Sequence, residues 1–242
     1  MLTNDSTSVS KKNELQPHRS KYWKIPPDQN ASFAACMEDI LDVYHQPYNP
    51  KYSVVCMDES NRQLIGEVRE PIPVAPGHPV LCDDEYIRNG VADIFLEVEP
   101  LGGRRHVEIT EHRTKIDWAI FIRAMLTTRY PDAEKVILVM DNLNTHSISS
   151  LYDAFPPEEA RCLAKRLEIH FTPKHGSWMN IAEIELSVLK GQCLDRRIPE
   201  IEIMRNAVRA WESDRNNRQS KINWRFTSRD ARIKLKRLYP NV

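Results

Sequence analysis

VILVM, residues 136–140, runs directly into Asp141 and then into NLNTH, residues 142–146. Five apolar residues without a polar interruption fit a strand buried on both faces, as in a parallel sheet. An aspartate at the carboxyl end of such a strand stands where open α/β sheets build their sites. YSVVCMD, residues 52–58, repeats the arrangement upstream: a β-branched run that ends in Asp58. If the two strands are neighbours, Asp58 and Asp141 face one crevice. Either aspartate alone fits a turn or a helix N-cap equally well, so the pair carries the reading.

Outward from these two strands the pattern fills in. QLIGEVRE (63–70), VADIFLEVEP (91–100), RRHVEIT (104–110) and EIHFT (168–172) read as further strands. PIPVAPGHPVLCDDEYIRNG (71–90), rich in Pro and Asp, reads as an irregular insert. Apolar residues at helical spacing predict helices over 31–48, stopped by Pro47 and Pro50, and over 114–129. Others are expected near 147–153, 157–167, 178–194 and 200–217. Strands come first and helices then alternate with strands, which favours an α/β sandwich around a mixed sheet.

Composition narrows the class. The 242 residues are 41% hydrophobic and 28% charged, enough for one substantial core. Seven glycines exclude collagen and sixteen prolines exclude a coiled coil. No apolar run approaches the roughly 20 residues of a membrane helix, and the first residues lack the apolar stretch of a secretory signal. Five scattered cysteines without a CxxC pair argue against a disulfide scaffold and a structural zinc site, so a reducing cytoplasm is the expected compartment. Lys+Arg and Asp+Glu balance at 34 each, but unevenly. Residues 56–100 hold ten acidic and three basic residues, while 190–242 hold fourteen basic and six acidic ones. That asymmetry fits cation-binding chemistry beside nucleic-acid contact, or solvated helix faces.

A third carboxylate is expected from WMNIAEIELSVLK, residues 178–190. At about 100° per residue, Trp178, Ala182, Leu186 and Leu189 define an apolar stripe. Glu185 falls inside it and Glu183 on its edge. A carboxylate in an apolar stripe must be paired or metal-bound, so periodicity alone points to Glu185. Three clustered carboxylates without Cys or His are hard oxygen ligands suited to Mg²⁺ or Mn²⁺. Two such ions serve in-line phosphoryl displacement. The chain has no GxxxxGK[ST] loop and no GxSxG elbow, which argues against nucleotide-triphosphate and serine-hydrolase chemistry.

VVCMDE, VILVMDNLNTH and HFTPKHGSWMNIAEIELSVLK together resemble the catalytic core of DDE-type transposases, in particular a bacterial insertion-sequence branch of the mariner superfamily. The resemblance covers about residues 52–239. It implies an RNase H-like fold, a mixed five-stranded sheet flanked by helices. It places the catalytic, metal-holding triad on Asp58, Asp141 and Glu183, with Asn142 and His146 in the stretch after the second aspartate. Glu183 rather than Glu185 follows from matching Asn180 and SVLK to the family's segment. Ile181 stands where that segment has Pro, and Leu186 where it has an aromatic residue.

The implied activity is metal-dependent cleavage of DNA and transfer of the 3′-OH strand, the cut-and-paste recombination and integration of an insertion element. Mg²⁺ is the implied cofactor, with Mn²⁺ as a substitute. The partners are element ends and target DNA, with a homodimer among the assemblies allowed and no membrane. The expected location is a bacterial cytoplasm, at the nucleoid. Residues 1–50 read as a lead-in and one helix without end-recognition domains, and 51–242 as the catalytic domain. Two other readings stay open: a stand-alone RNase H-like nuclease, and a non-catalytic DNA-binding remnant.

For DNA contact the candidates are Lys174, His175 and Trp178 ahead of the Glu183 helix, and Arg225, Arg229, Arg232, Lys234 and Lys236 near the C-terminus. Trp178 fits core packing as well as base stacking. His146 fits either phosphate orientation or a structural hydrogen bond. Arg104, Arg105 and His106 are read as strand-edge charges or phosphate contacts.

Overall fold

The computed structural model describes residues 29–141 and 146–240. Its centre is a five-stranded mixed sheet in the order β3-β2-β1-β4-β5. These are β1 (Tyr52–Glu67), β2 (Tyr86–Glu99), β3 (Arg104–Thr110), β4 (Lys135–Met140) and β5 (Leu167–Phe171). The first three form an antiparallel meander, and β4 and β5 add on in parallel beside β1.

Among the described residues, seven α-helices cover the sheet: α1 (Ala31–Tyr44), α2 (Lys115–Ala124), α3 (Ile148–Ala154), α4 (Pro157–Lys165), α5 (Ile181–Leu189), α6 (Ile201–Asn217) and α7 (Ser228–Lys234). Their ends follow local chemistry. The Asn30 side chain accepts the Phe33 amide at 2.9 Å to start α1. Thr114 and Asp117 form a capping box on α2, as Thr227 and Asp230 do on α7. α2 and α5 each continue into a wider π-turn, Met125–Arg129 and Lys190–Leu194.

Strand alternation builds two cores, one on each face. Cys56, Ile137 and Val139 point to one, where Phe33, Met37, Ile40 and Leu41 of α1 meet Ala182 and Leu189 of α5 and Val208 of α6. Val55, Met57, Leu138 and Met140 point to the other, under Trp118, Phe121 and Ile122 of α2 and Leu151 of α3. α1, which the sequence reading grouped with the lead-in in 1–50 rather than with the catalytic domain, supplies much of one face.

The strands differ from expectation in one way that matters. YSVVCMD and QLIGE are a single 16-residue strand, because the residues between them stay paired with β2 from Asp58↔Leu96 to Gln63↔Val91. Asp58 is therefore not at a strand end. It lies just beyond Cys56↔Val139, the last parallel pair between β1 and β4. The sheet opens at that point because β4 stops at Met140 while β1 runs on. The insert 71–90 is irregular apart from the bridges Ile72↔Leu81 and Ala75↔His78, and β2 begins at Tyr86, ahead of VADIFLEVEP.

Candidate active site

Parallel pairing of β1 with β4 sets Asp58 and Asp141 at the same end of neighbouring strands, where the two diverge. Asp58 is partly buried, and its Oδ1 accepts the Glu59 amide at 2.9 Å. Burial pushes its carboxyl up to about 7, against that hydrogen bond, and the negative fields of Asp141, Glu59 and Glu183 push the same way. The three acids read from the sequence therefore share one electrostatic neighbourhood.

Glu183 enters it from the exposed first turn of α5, an end whose dipole favours negative charge. Asn180 ties that helix to the strand. It is fully buried, caps α5 through Ala182 N–H at 3.1 Å, and donates from Nδ2 to the Met57 carbonyl at 2.9 Å, one residue before Asp58. Asn180→Ala removes the cap and strands the Met57 carbonyl. It is expected to lower stability by roughly 2–3 kcal/mol in a urea melt.

Glu185 does something different. It is 1% exposed and clamped by two guanidinium groups. Arg215 donates from Nε (3.0 Å) and Nη2 (2.8 Å) to Oε1 and from Nη2 to Oε2 (3.0 Å), and Arg105 Nε lies 2.9 Å from Oε1. The demand that periodicity placed on a carboxylate in the apolar stripe is met by arginines of β3 and α6.

The remaining candidates divide. His146 is buried, its ring stacked on Trp118 at 5.7 Å and 7°. Its Nδ1 lies 2.9 Å from Glu59 Oε1, off the angle of a hydrogen bond. It sets the residue just before α3 against the strand of Asp58 and does not face solvent. Asn142 lies outside the described residues. Arg104, Arg105 and His106 each meet an acid: Glu99 at 3.0 Å, Glu185, and Glu212 at 3.1 Å.

Lys174 and His175 are exposed on a turn where His175 has φ 66°, while Trp178 packs against the core. Arg225, Arg229 and Lys236 are exposed. Arg232 is paired with Glu38 of α1 at 2.6 Å, and Lys234 lies 5.5 Å from the centre of the Phe226 ring. The C-terminal basic stripe is therefore partly neutralised. Neither Arg105 nor Glu38 carries a local sequence signal for its pairing, because each partner is more than 70 residues away.

Three carboxylates with only oxygen to offer suit a divalent cation, and the Asp58 carboxyl, raised first by burial and then by its acidic neighbours, is one whose charge a cation would stabilise. Among the described residues, no group of three His, Cys, Asp or Glu side chains already forms a metal cage.

The family model described as DDE superfamily endonuclease matches residues 53–205, well over half of the chain. The chain belongs to that family. No curated protein matches it. Among solved structures, the Mos1 mariner paired end complex with Mn is similar at TM-score 0.55 and 16% identity, over 88% of this chain and 64% of that one. The Mos1 strand transfer complex gives TM-score 0.55 and 15% identity, over 88% and 63%. The mariner Mos1 paired end complex with Mg gives 0.52 and 14%, over 98% and 71%. The sheet order and flanking helices are thus RNase H-like, as in Mos1 transposase. The chain spans about 64% of the length of the Mos1 chain in the first of these. No helix among the described residues is long and apolar enough to cross a membrane.

Proposed function

We propose that this chain is a transposase of the bacterial insertion-sequence branch of the mariner superfamily, cutting DNA at element ends and joining the 3′-OH to target DNA at the nucleoid. The observation that carries the reading is the shared neighbourhood of Asp58, Asp141 and Glu183 at the point where β1 and β4 part. The family membership and the Mos1 complexes, which include transposon-end DNA, Mn and Mg, support it. Mg²⁺, or Mn²⁺ in its place, would be held by these three carboxylates. Bound there, a pair of ions supplies activation of the attacking oxygen and neutralisation of the leaving one.

The chain's own part is positional. β1 and β4 fix two carboxylates on a rigid sheet. Asn180 locks the helix that brings the third, and the charge on α5 stays at its exposed N-terminal turn. Lys174, His175 and the exposed Arg225, Arg229, Lys234 and Lys236 would contact phosphates, Arg232 would join them by exchanging Glu38 for DNA, and Trp178 would support the turn from the core.

The deciding experiment is Mg²⁺- or Mn²⁺-dependent cleavage of DNA carrying the element's ends, wild type against Asp141→Asn. The expected result is cleavage by the wild type and a loss of at least about 10³-fold in the variant. Equal cleavage by both, or DNA binding without cleavage by either, overturns the reading.

A further inference from the structure

Tyr44 is the last residue of α1, and its buried hydroxyl joins three segments of the chain. It donates to the Met179 carbonyl at 2.8 Å and accepts the Ile181 amide at 3.4 Å and the Cys56 thiol at 3.5 Å. One proton given and two received leave this oxygen fully used. Burial pushes the hydroxyl well above its ordinary range, so it keeps the proton it donates. Its partners bracket the candidate site. Cys56 stands two residues before Asp58 on β1, and Met179 and Ile181 flank Asn180 at the start of the Glu183 helix.

A helix leaves its first amides without partners of its own. In α5 the first three are all taken: Ile181 N–H by Tyr44 Oη, Ala182 N–H by Asn180 Oδ1 and Glu183 N–H by the Asn180 carbonyl, the last two at 3.1 Å. Asn180 belongs to the same turn, whereas Tyr44 reaches it from 137 residues away. α1 is a firm support, with Met37, Ile40 and Leu41 fully buried beneath the sheet. It also lies outside residues 53–205, the stretch that the family model matches.

We propose that Tyr44 is a positioning residue of the site: its hydroxyl holds the first turn of α5, and with it Glu183, against β1 at Asp58. This rests on the functional reading above and extends the site to a helix beyond the matched stretch. Asn180 joins the turn to the Met57 carbonyl and Tyr44 joins it to Cys56. Buried contacts to two successive strand residues oppose both sliding and rotation of the turn. A carboxylate one turn into the helix thus keeps a fixed distance from the strand that carries Asp58.

Tyr44→Phe keeps the ring and its contact with Trp224, 5.3 Å between centres, and removes only the oxygen. Trp224→Phe is the control, since it disturbs the same packing and leaves the hydroxyl in place. Both are made in the full chain. Without metal, hydrogen exchange at the amides of 181–183, taken relative to those of β4, is expected to be about 5- to 10-fold faster in Tyr44→Phe and unchanged in Trp224→Phe. Mn²⁺, titrated by electron paramagnetic resonance, is expected to bind Tyr44→Phe roughly 10-fold more weakly than the wild type, the low end for residues that support metal ligands. Trp224→Phe should bind it as the wild type does. Wild-type Mn²⁺ affinity in Tyr44→Phe, or an equal loss in Trp224→Phe, overturns the positioning role, as does unchanged exchange at 181–183. If the wild type itself binds no Mn²⁺, the functional reading falls, and the exchange result alone decides whether Tyr44 holds α5.

Discussion

Asp58→Asn is expected to melt higher than the wild type when divalent ions are removed, and to cut no DNA when they are supplied. Burial and three neighbouring acids raise the folded-state carboxyl to about 7, against 3.8 for an ordinary aspartate. A raised acid keeps its proton in the native state while the unfolded chain has already lost it. Its contribution is fully present below about pH 4 and fades as pH rises through about 7. At pH 8 and without metal, the native state carries the whole penalty, on the order of 4 kcal/mol at about 1.4 kcal/mol per unit.

Asparagine keeps the shape and the oxygen that accepts the Glu59 amide but removes the charge. A gain of roughly 2–4 kcal/mol raises the melting temperature by several degrees in a chain of this size. Metal reverses the order. The wild type gains stability with Mg²⁺ by mass action, the variant does not, and its cleavage falls by at least about 10³-fold. Thermal melts at pH 8 in EDTA and in Mg²⁺, with a wild-type scan from pH 5 to 8, check each part. A variant that melts lower in EDTA refutes the account of Asp58.

What could be read from the sequence follows the range of the forces involved. VILVMD declared itself because burial on both faces leaves a continuous apolar run. The helices over 31–44 and 115–124 were legible because their apolar faces and caps lie within a few residues of each other. The union of YSVVCMD and QLIGE into one strand was not legible. The polar residues DESNR between them are held straight by β2, about 30 positions away, and local propensity carries no trace of that pairing. Periodicity alone pointed to Glu185 for the same reason. The rule that a carboxylate in an apolar stripe needs a partner was sound, but the partners, Arg105 and Arg215, come from β3 and α6. Arg105 itself read as a strand-edge charge, and nothing local marks it as fully buried.

That clamp yields the other large effect. Glu185→Ala leaves Arg105, fully buried, and Arg215, half-buried, facing each other with no anion between them. Arg105 keeps the Gly103 and Ser220 carbonyls at 3.1 and 2.7 Å on Nη1 and Nη2, which leave its Nε and its charge uncompensated. Removing one partner of a buried pair costs about 3–5 kcal/mol, much of the stability of an ordinary domain. Urea denaturation should therefore show a collapsed midpoint or no folded baseline. Glu185→Gln retains hydrogen bonds to Arg215 and should fall between. Glu183→Gln, two residues away on the exposed side, should unfold with the wild-type midpoint or slightly above it while losing Mg²⁺-dependent cleavage. The two neighbouring glutamates thus separate cleanly, one in stability and one in chemistry. If Glu185→Ala unfolds like the wild type, or Glu183→Gln cleaves like it, the roles assigned here are wrong. The energetics also explain why the pair sits on one helix turn. On the proposed reading α5 must present Glu183 to Asp58 at a fixed rotation, and apolar packing of Ala182 and Leu189 tolerates some rolling. A buried carboxylate held by two guanidiniums does not, because any roll breaks several charged hydrogen bonds at once.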